Sequence, residues 1–191
     1  MKPDRLNALT DGVVAIVLTI MVLEVKIPAE STVAAVLAVL PLLAAYLLAF
    51  VNVAIYWNNH HHMMQSAKQV TGGVLWANHA LLFWLTLFPL MIRWIDEAGI
   101  TPWPVASFGL VLVGAASCYQ ILERALIRAE GDESEVKRAV GAGAKELISF
   151  ALYVASVPAA FVSPYISIAI FVGVSILWLI PDRRFEERLQ H

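Results

Sequence analysis

The chain has 191 residues, of which 60% are hydrophobic and 15% charged, and its mean hydropathy is +0.73. Soluble domains run nearer half apolar and a quarter charged, so this much apolar surface has to face lipid. The net charge of -2 leaves no basic footprint for nucleic acid, and the single cysteine, Cys118, excludes an internal disulfide.

A hydrocarbon core of roughly 30 Å takes about 20 helical residues to cross. Six stretches meet that length and predict an all-α, polytopic membrane protein, a single domain over 1–191. The first span, about 5–25, ends at Lys26-Ile27-Pro28; it carries Asp11 and Glu24 and no small-residue cleavage site, so it reads as a retained helix. The second, about 33–57, ends in Asn58-Asn59-His60-His61-His62. The third, about 72–92, ends at Arg93-Trp94-Ile95-Asp96-Glu97. The fourth, about 105–122, follows Pro102-Trp103-Pro104 and continues as a charged extension through Ala129. Cys118 lies in this apolar helix as a small packing residue. The fifth and sixth, about 144–162 and 165–180, form a hairpin across the tight Ser163-Pro164 turn. Pro41, Pro89 and Pro158 fall inside spans and predict kinks, which neighbouring helices make tolerable in a membrane. The last three spans read as a mostly lipid-facing frame.

Cation placement orients the chain. Lys2, Arg5, Lys68, Arg124, Arg128, Lys137, Arg138, Lys145, Arg183, Arg184 and Arg188 fall on one side, and only Lys26 and Arg93 on the other. Both termini are therefore expected in the cytoplasm.

No phosphate-cradling glycine loop, Gly-x-Ser-x-Gly elbow or His-Glu-x-x-His pair is present, so nothing points to an enzyme. The chemistry concentrates on the first helix. An acid placed there at Asp11 is expensive unless it faces protein or water; at a depth of only ~9 Å it is also near enough to the interface to be wetted. Gly12, Ile16, Thr19 and Leu23 share one stripe, and Asp11 projects about 100° away from it. Several copies around an axis would stack Ile16, Thr19 and Leu23 as rings able to gate by dewetting; the plainer reading of such a stripe is packing or lipid contact. His60, His61, Asn78 and His79 lie at the depth of Asp11, where a bonded Asp, His and Asn set would fix how the first helix is held. Consecutive histidines point about 100° apart, so His60, His61 and His62 do not converge on a metal ion.

Arg5-x-x-x-Leu9-Thr10-Asp11-Gly12 resembles the Arg-x-x-x-Phe-Ser-Asp-Gly signature of the transmembrane protein 175 family, the endolysosomal potassium channels and their prokaryotic homologues. The Val-Ala-Ile…Thr…Val-Leu-Glu continuation, Tyr56-Trp57-x-x-His60-His61 and Trp76-x-Asn78-x-x-Leu81-Leu82-Phe83 extend the resemblance over the first three helices. Leu9 replaces the family's Phe and Thr10 its Ser. The resemblance implies a homotetramer in a prokaryotic inner membrane, with four first helices around a central pore and no TVGYG filter. It places the constriction on Ile16, Thr19 and Leu23 and gives a bracing role to Arg5, Thr10, Asp11, His60, Asn78 and His79.

The resulting expectation is a passive, potassium-preferring cation channel that also admits some protons, with K+ as the permeant ion and no cofactor or metal. Glu24 would concentrate cations at the pore mouth; its plainer reading is an interfacial acid paired to Lys26. The alternatives are a proton-coupled secondary transporter relaying through Asp11 and the histidines, and a scaffold that moves no ions.

Overall fold

The computed structural model describes residues 3–131, 134, 136 and 143–179. They form a helical bundle: α1 (Pro3–Leu23), α2 (Val33–Gln65), α3 (Gly72–Leu85), α4 (Phe88–Ala98), α5 (Pro102–Glu130), α6 (Ala144–Val162) and α7 (Pro164–Leu179). Five helical stretches are long and apolar enough to cross a bilayer, with α3 and α4 together making the third. The shorter α7 is apolar too; the predicted end of its span at Ile180, like Lys2, Lys137, Arg138, Arg183, Arg184 and Arg188, lies outside the described residues.

Local chemistry sets the boundaries. The hydroxyls of Thr32 and Thr71 accept from the backbone N–H of Ala35 (3.2 Å) and Val74 (3.4 Å), capping α2 and α3. α5 opens on Pro102, whose missing N–H costs nothing in a first turn, and stops at Gly131 with φ 77°. α4 stops in the same manner at Gly99, φ 71°.

Three boundaries differ from the sequence expectation. α2 runs past the expected end of the span at Trp57 to Gln65, carrying the Asn58–His62 cluster on the same helix; the hydrogen-bond ladder continues there, and only the hydropathy changes. α5 begins at Pro102 instead of about 105, while its run to Glu130 follows the extension expected through Ala129. The third span is two helices, interrupted at Thr86-Leu87. Pro89 cannot donate to the carbonyl of Leu85, so the ladder ends a turn early and restarts with proline in the first turn of α4. The Thr86 hydroxyl donates to Phe83 O at 2.7 Å, satisfying one carbonyl at the break. α2 continues through Pro41 and α6 through Pro158.

α5 is the hub of the bundle, packing on α3, α4, α6 and α7, while α1 rests against α2, α3 and α4. Small residues permit the closest approaches, as expected between membrane helices. A Cβ on Gly114 would stand 2.2 Å from the ring of Trp84, and one on Gly109 would stand 3.0 Å from Ser156 Oγ. Phe88, Phe108 and Phe171 continue the core with ring centroids 5.5 and 5.3 Å apart.

The frame is more polar inside than a lipid-facing reading allows. Asn52 Nδ2 donates to Ser175 Oγ (3.1 Å), Tyr153 donates to Asn52 Oδ1 (3.2 Å), and Ser167 donates to Ser156 O (2.7 Å), all buried. These groups are spread over α2, α6 and α7 and carry no charge, so the sequence does not set them apart from the apolar residues around them.

Candidate functional site on the first helix

α1 has two opposed faces. Leu6, Thr10, Val14, Val17 and Met21 are buried, following helical spacing of three and four residues. Ile16 stands two residues, about 200°, beyond Val14, and its stripe turns away from the rest of the bundle. Ile16 is 58% exposed and Leu23 78% exposed, Thr19 is exposed, and nothing lies within 4 Å of a Cβ built on Gly12. The Thr19 hydroxyl sits 2.9 Å from both Ala15 O and Ile16 O. Its proton is committed to its own helix, leaving the oxygen lone pairs facing outward as acceptors.

The buried face is fixed by a polar clamp joining three helices. Asn78 on α3 donates from Nδ2 to Thr10 Oγ1 at 3.1 Å, and its Oδ1 lies 2.8 Å from His60 Nε2. An amide oxygen can only accept, so His60 Nε2 carries the proton in this arrangement. Thr10, Asn78 and His60 are 1%, 0% and 2% exposed, so each bond replaces one that lipid could not provide.

Asp11 is not part of that clamp. It is exposed, and its Oδ1 accepts from Trp57 Nε1 at 2.7 Å, a short charge-assisted bond. Trp57 in turn stacks on His61, centroids 5.7 Å apart at 22°, and the side chain of Gln65 meets His61 Nε2 at 2.8 Å. The expected single Asp, His and Asn set is therefore two adjacent sets, because residues 10 and 11 point about 100° apart. Trp57 is a site residue that hydropathy and charge do not mark; the signal for it in the sequence is its place one turn before His61 in the Tyr56-Trp57-x-x-His60-His61 run.

The remaining candidates lie apart from both sets. Arg5 is exposed and has no side-chain bond among the described residues. His79 is exposed; its Nδ1 lies 2.7 Å from Leu75 O on its own helix, and Trp76 is its ring neighbour at 6.1 Å. Glu24 follows the last residue of α1 and, with Arg93, borders an open groove between α1 and α4 that Ile16, Ile20, Thr86 and Leu90 also line. Lys26 pairs with Asp96 at 3.0 Å, which corrects the simple Glu24–Lys26 pairing. No three His, Cys, Asp or Glu side chains gather as a metal site among the described residues.

Comparison with known proteins bears on this geometry. Residues 5–89 match the model of the endosomal/lysosomal potassium channel TMEM175 family. A potassium channel of Chryseobacterium sp. (strain P1-3) is 46% identical over 190 residues, covering 100% of this chain and 99% of that one. A potassium channel of Streptomyces collinus is 28% identical over 129 residues, 63% of each chain. The crystal structure of a lysosomal potassium-selective channel TMEM175 homolog from Chamaesiphon minutus superposes with a TM-score of 0.80 at 22% identity, over 93% of this chain and 96% of that one.

Proposed function

The chain belongs to the endosomal/lysosomal potassium channel TMEM175 family, a family of membrane channels and not of enzymes, and we propose that it forms a potassium-preferring cation channel. The observation that carries this reading is the outward stripe of α1, apolar at Ile16 and Leu23 with one hydroxyl at Thr19, on a helix whose other face is clamped. A helix held so firmly on one side, with an apolar stripe left uncovered on the other, is suited to meet copies of itself around an axis. We take the assembly to be a homotetramer in a prokaryotic inner membrane with both termini in the cytoplasm, as the cation distribution supports.

In that assembly Ile16 and Leu23 form hydrophobic rings. A permeating ion has to shed water to pass them, and the penalty is smaller for K+ than for the more tightly hydrated Na+. Thr19 supplies four hydroxyl oxygens between the rings in partial compensation. With no dense oxygen cage, discrimination is modest and some protons pass. Glu24 raises the local cation concentration beside the mouth. Thr10, Asn78 and His60 hold the helix in register, Asp11 does so through Trp57, and Arg5 and His79 are assigned the same bracing role in the full assembly.

One observation favours a second reading. Interrupted helices occur in secondary transporters, and α3–α4 is interrupted at Thr86-Leu87. Transporters of that kind pair such breaks across repeated halves, and the described residues contain no second break matching it.

Reconstituted protein separates the readings. Single-channel currents in K+ and Na+ gradients, present without a proton gradient and reversing nearer the K+ potential, are expected. Flux that saturates at carrier rates or requires a proton gradient would favour the transporter, and absence of flux in every gradient would favour the scaffold.

A further inference from the structure

α4 carries a second stripe beside that of α1. Phe88, Met91, Ile92 and Ile95 are buried on one side of α4, while Leu90, Arg93 and Glu97, three and four residues apart, are exposed on the other. Leu90 and Arg93 line one open groove with Ile16, Ile20 and Glu24, so the exposed side of α4 continues the outward surface of α1. The lining is apolar at Ile16, Ile20 and Leu90, and Glu24 and Arg93 are its two charged residues.

The charges around these two residues are held unequally. Lys26, two residues beyond Glu24, reaches Asp96 at 3.0 Å and ties the segment after α1 to α4. Glu24 makes no ion pair within 4 Å among the described residues, but Arg93 lies within reach of its charge. Arg93 Nε donates to Glu97 Oε1 at 3.0 Å, one turn further along the same helix. The terminal nitrogens of its guanidinium form no hydrogen bond among the described residues. An exposed pair of this kind adds little to stability, so the weight of Arg93 lies in the field it sets. Opposite charges side by side largely cancel at distances longer than their separation, and a cation approaching Glu24 meets Arg93 in the same groove.

We propose that Arg93 sets the conductance of the channel by offsetting the charge of Glu24 at that end of α1, while Glu97 holds back part of the Arg93 charge. The inference rests on the reading of α1 as the wall of the ion path and extends that wall to α4. Arg93 acts through the local potential and not by contact with the ion.

The test is the unitary conductance of the reconstituted full-length protein at ~10 mM and ~1 M K+, where the Debye length is about 30 Å and about 3 Å. At the lower concentration Arg93→Gln should raise conductance about twofold or more, because the charge of Glu24 is then unopposed. Arg93→Lys keeps the charge and should match the parent, and Glu24→Gln and Glu97→Gln should each lower conductance. At ~1 M K+ all four variants should converge on the parent. Arg93→Gln and Glu97→Gln break the same ion pair, so a merely structural role would move both in one direction, whereas the field moves them oppositely. The proposal is overturned, with the channel reading intact, if the parent conducts and Arg93→Gln is no higher than the parent at low K+, or if its effect persists at ~1 M K+. A parent that gives no unitary currents would overturn both.

Discussion

Asn78 is the residue on which three helices meet. Its amide gives one bond to Thr10 on α1 and takes one from His60 on α2, in a place where neither partner has water to turn to. Asn78→Leu keeps the volume and strands both partners, which should cost about 1–3 kcal/mol for each buried group left unsatisfied. The check is thermal unfolding of the detergent-solubilised protein; an unchanged melting temperature would mean that the clamp is not structural. Trp57 makes a different kind of contact, since its bond to Asp11 is exposed. Trp57→Phe keeps the ring against His61 and removes only the N–H. Ion flux should fall severalfold while stability moves less than in Asn78→Leu, and flux equal to that of the parent would separate Asp11 from pore function.

Among the elements, α5 shows how packing decides what periodicity cannot. Gly114 reads in the sequence as one more small residue in an apolar run. In the bundle the Trp84 ring lies where its Cβ would be, at 2.2 Å. Gly114→Ala should therefore cost about 1–3 kcal/mol through overpacking, and Gly12→Ala, with open space around it, should cost far less; comparable melting temperatures for the two would contradict this. The same limit explains what the sequence conceals. Hydropathy suffices to find the helices, because a bilayer demands long apolar runs. Helical spacing suffices to isolate the stripe of Ile16, Thr19 and Leu23. Neither reveals the break at Thr86-Leu87, since proline usually only kinks a membrane helix and the interruption depends on where the freed carbonyls find donors. Nor does either reveal the Asn52–Tyr153–Ser175 contacts, which join residues as many as 123 positions apart. For Asp11, the sequence gives position along the helix and not the direction of the side chain, so it groups Asp11 with His60 and Asn78, whereas the partner is Trp57.

At the scale of the whole molecule, the clamp and the stripe explain each other. A constriction made of side chains needs its helix fixed in rotation, because turning α1 by one residue would replace Ile16 with Ala15 or Val17 at the same depth. If Ile16 and Leu23 form the narrow rings, Ile16→Ala and Leu23→Ala should widen them and raise conductance or sodium permeability. Bilayer recordings with K+ and Na+ on opposite sides read this as a shift of the reversal potential, and values matching the parent for both variants would remove the rings from the selectivity account. The most direct test of the central claim, that this face of α1 lines the ion path, is cysteine accessibility. With Cys118, the only native cysteine, replaced by serine, single cysteines at positions 14, 16, 17, 19, 21 and 23 are treated with a cationic thiol reagent during recording. Block at Ile16, Thr19 and Leu23 with none at Val14, Val17 and Met21 is the predicted pattern; block on the buried face, or equal insensitivity at all six, would contradict it.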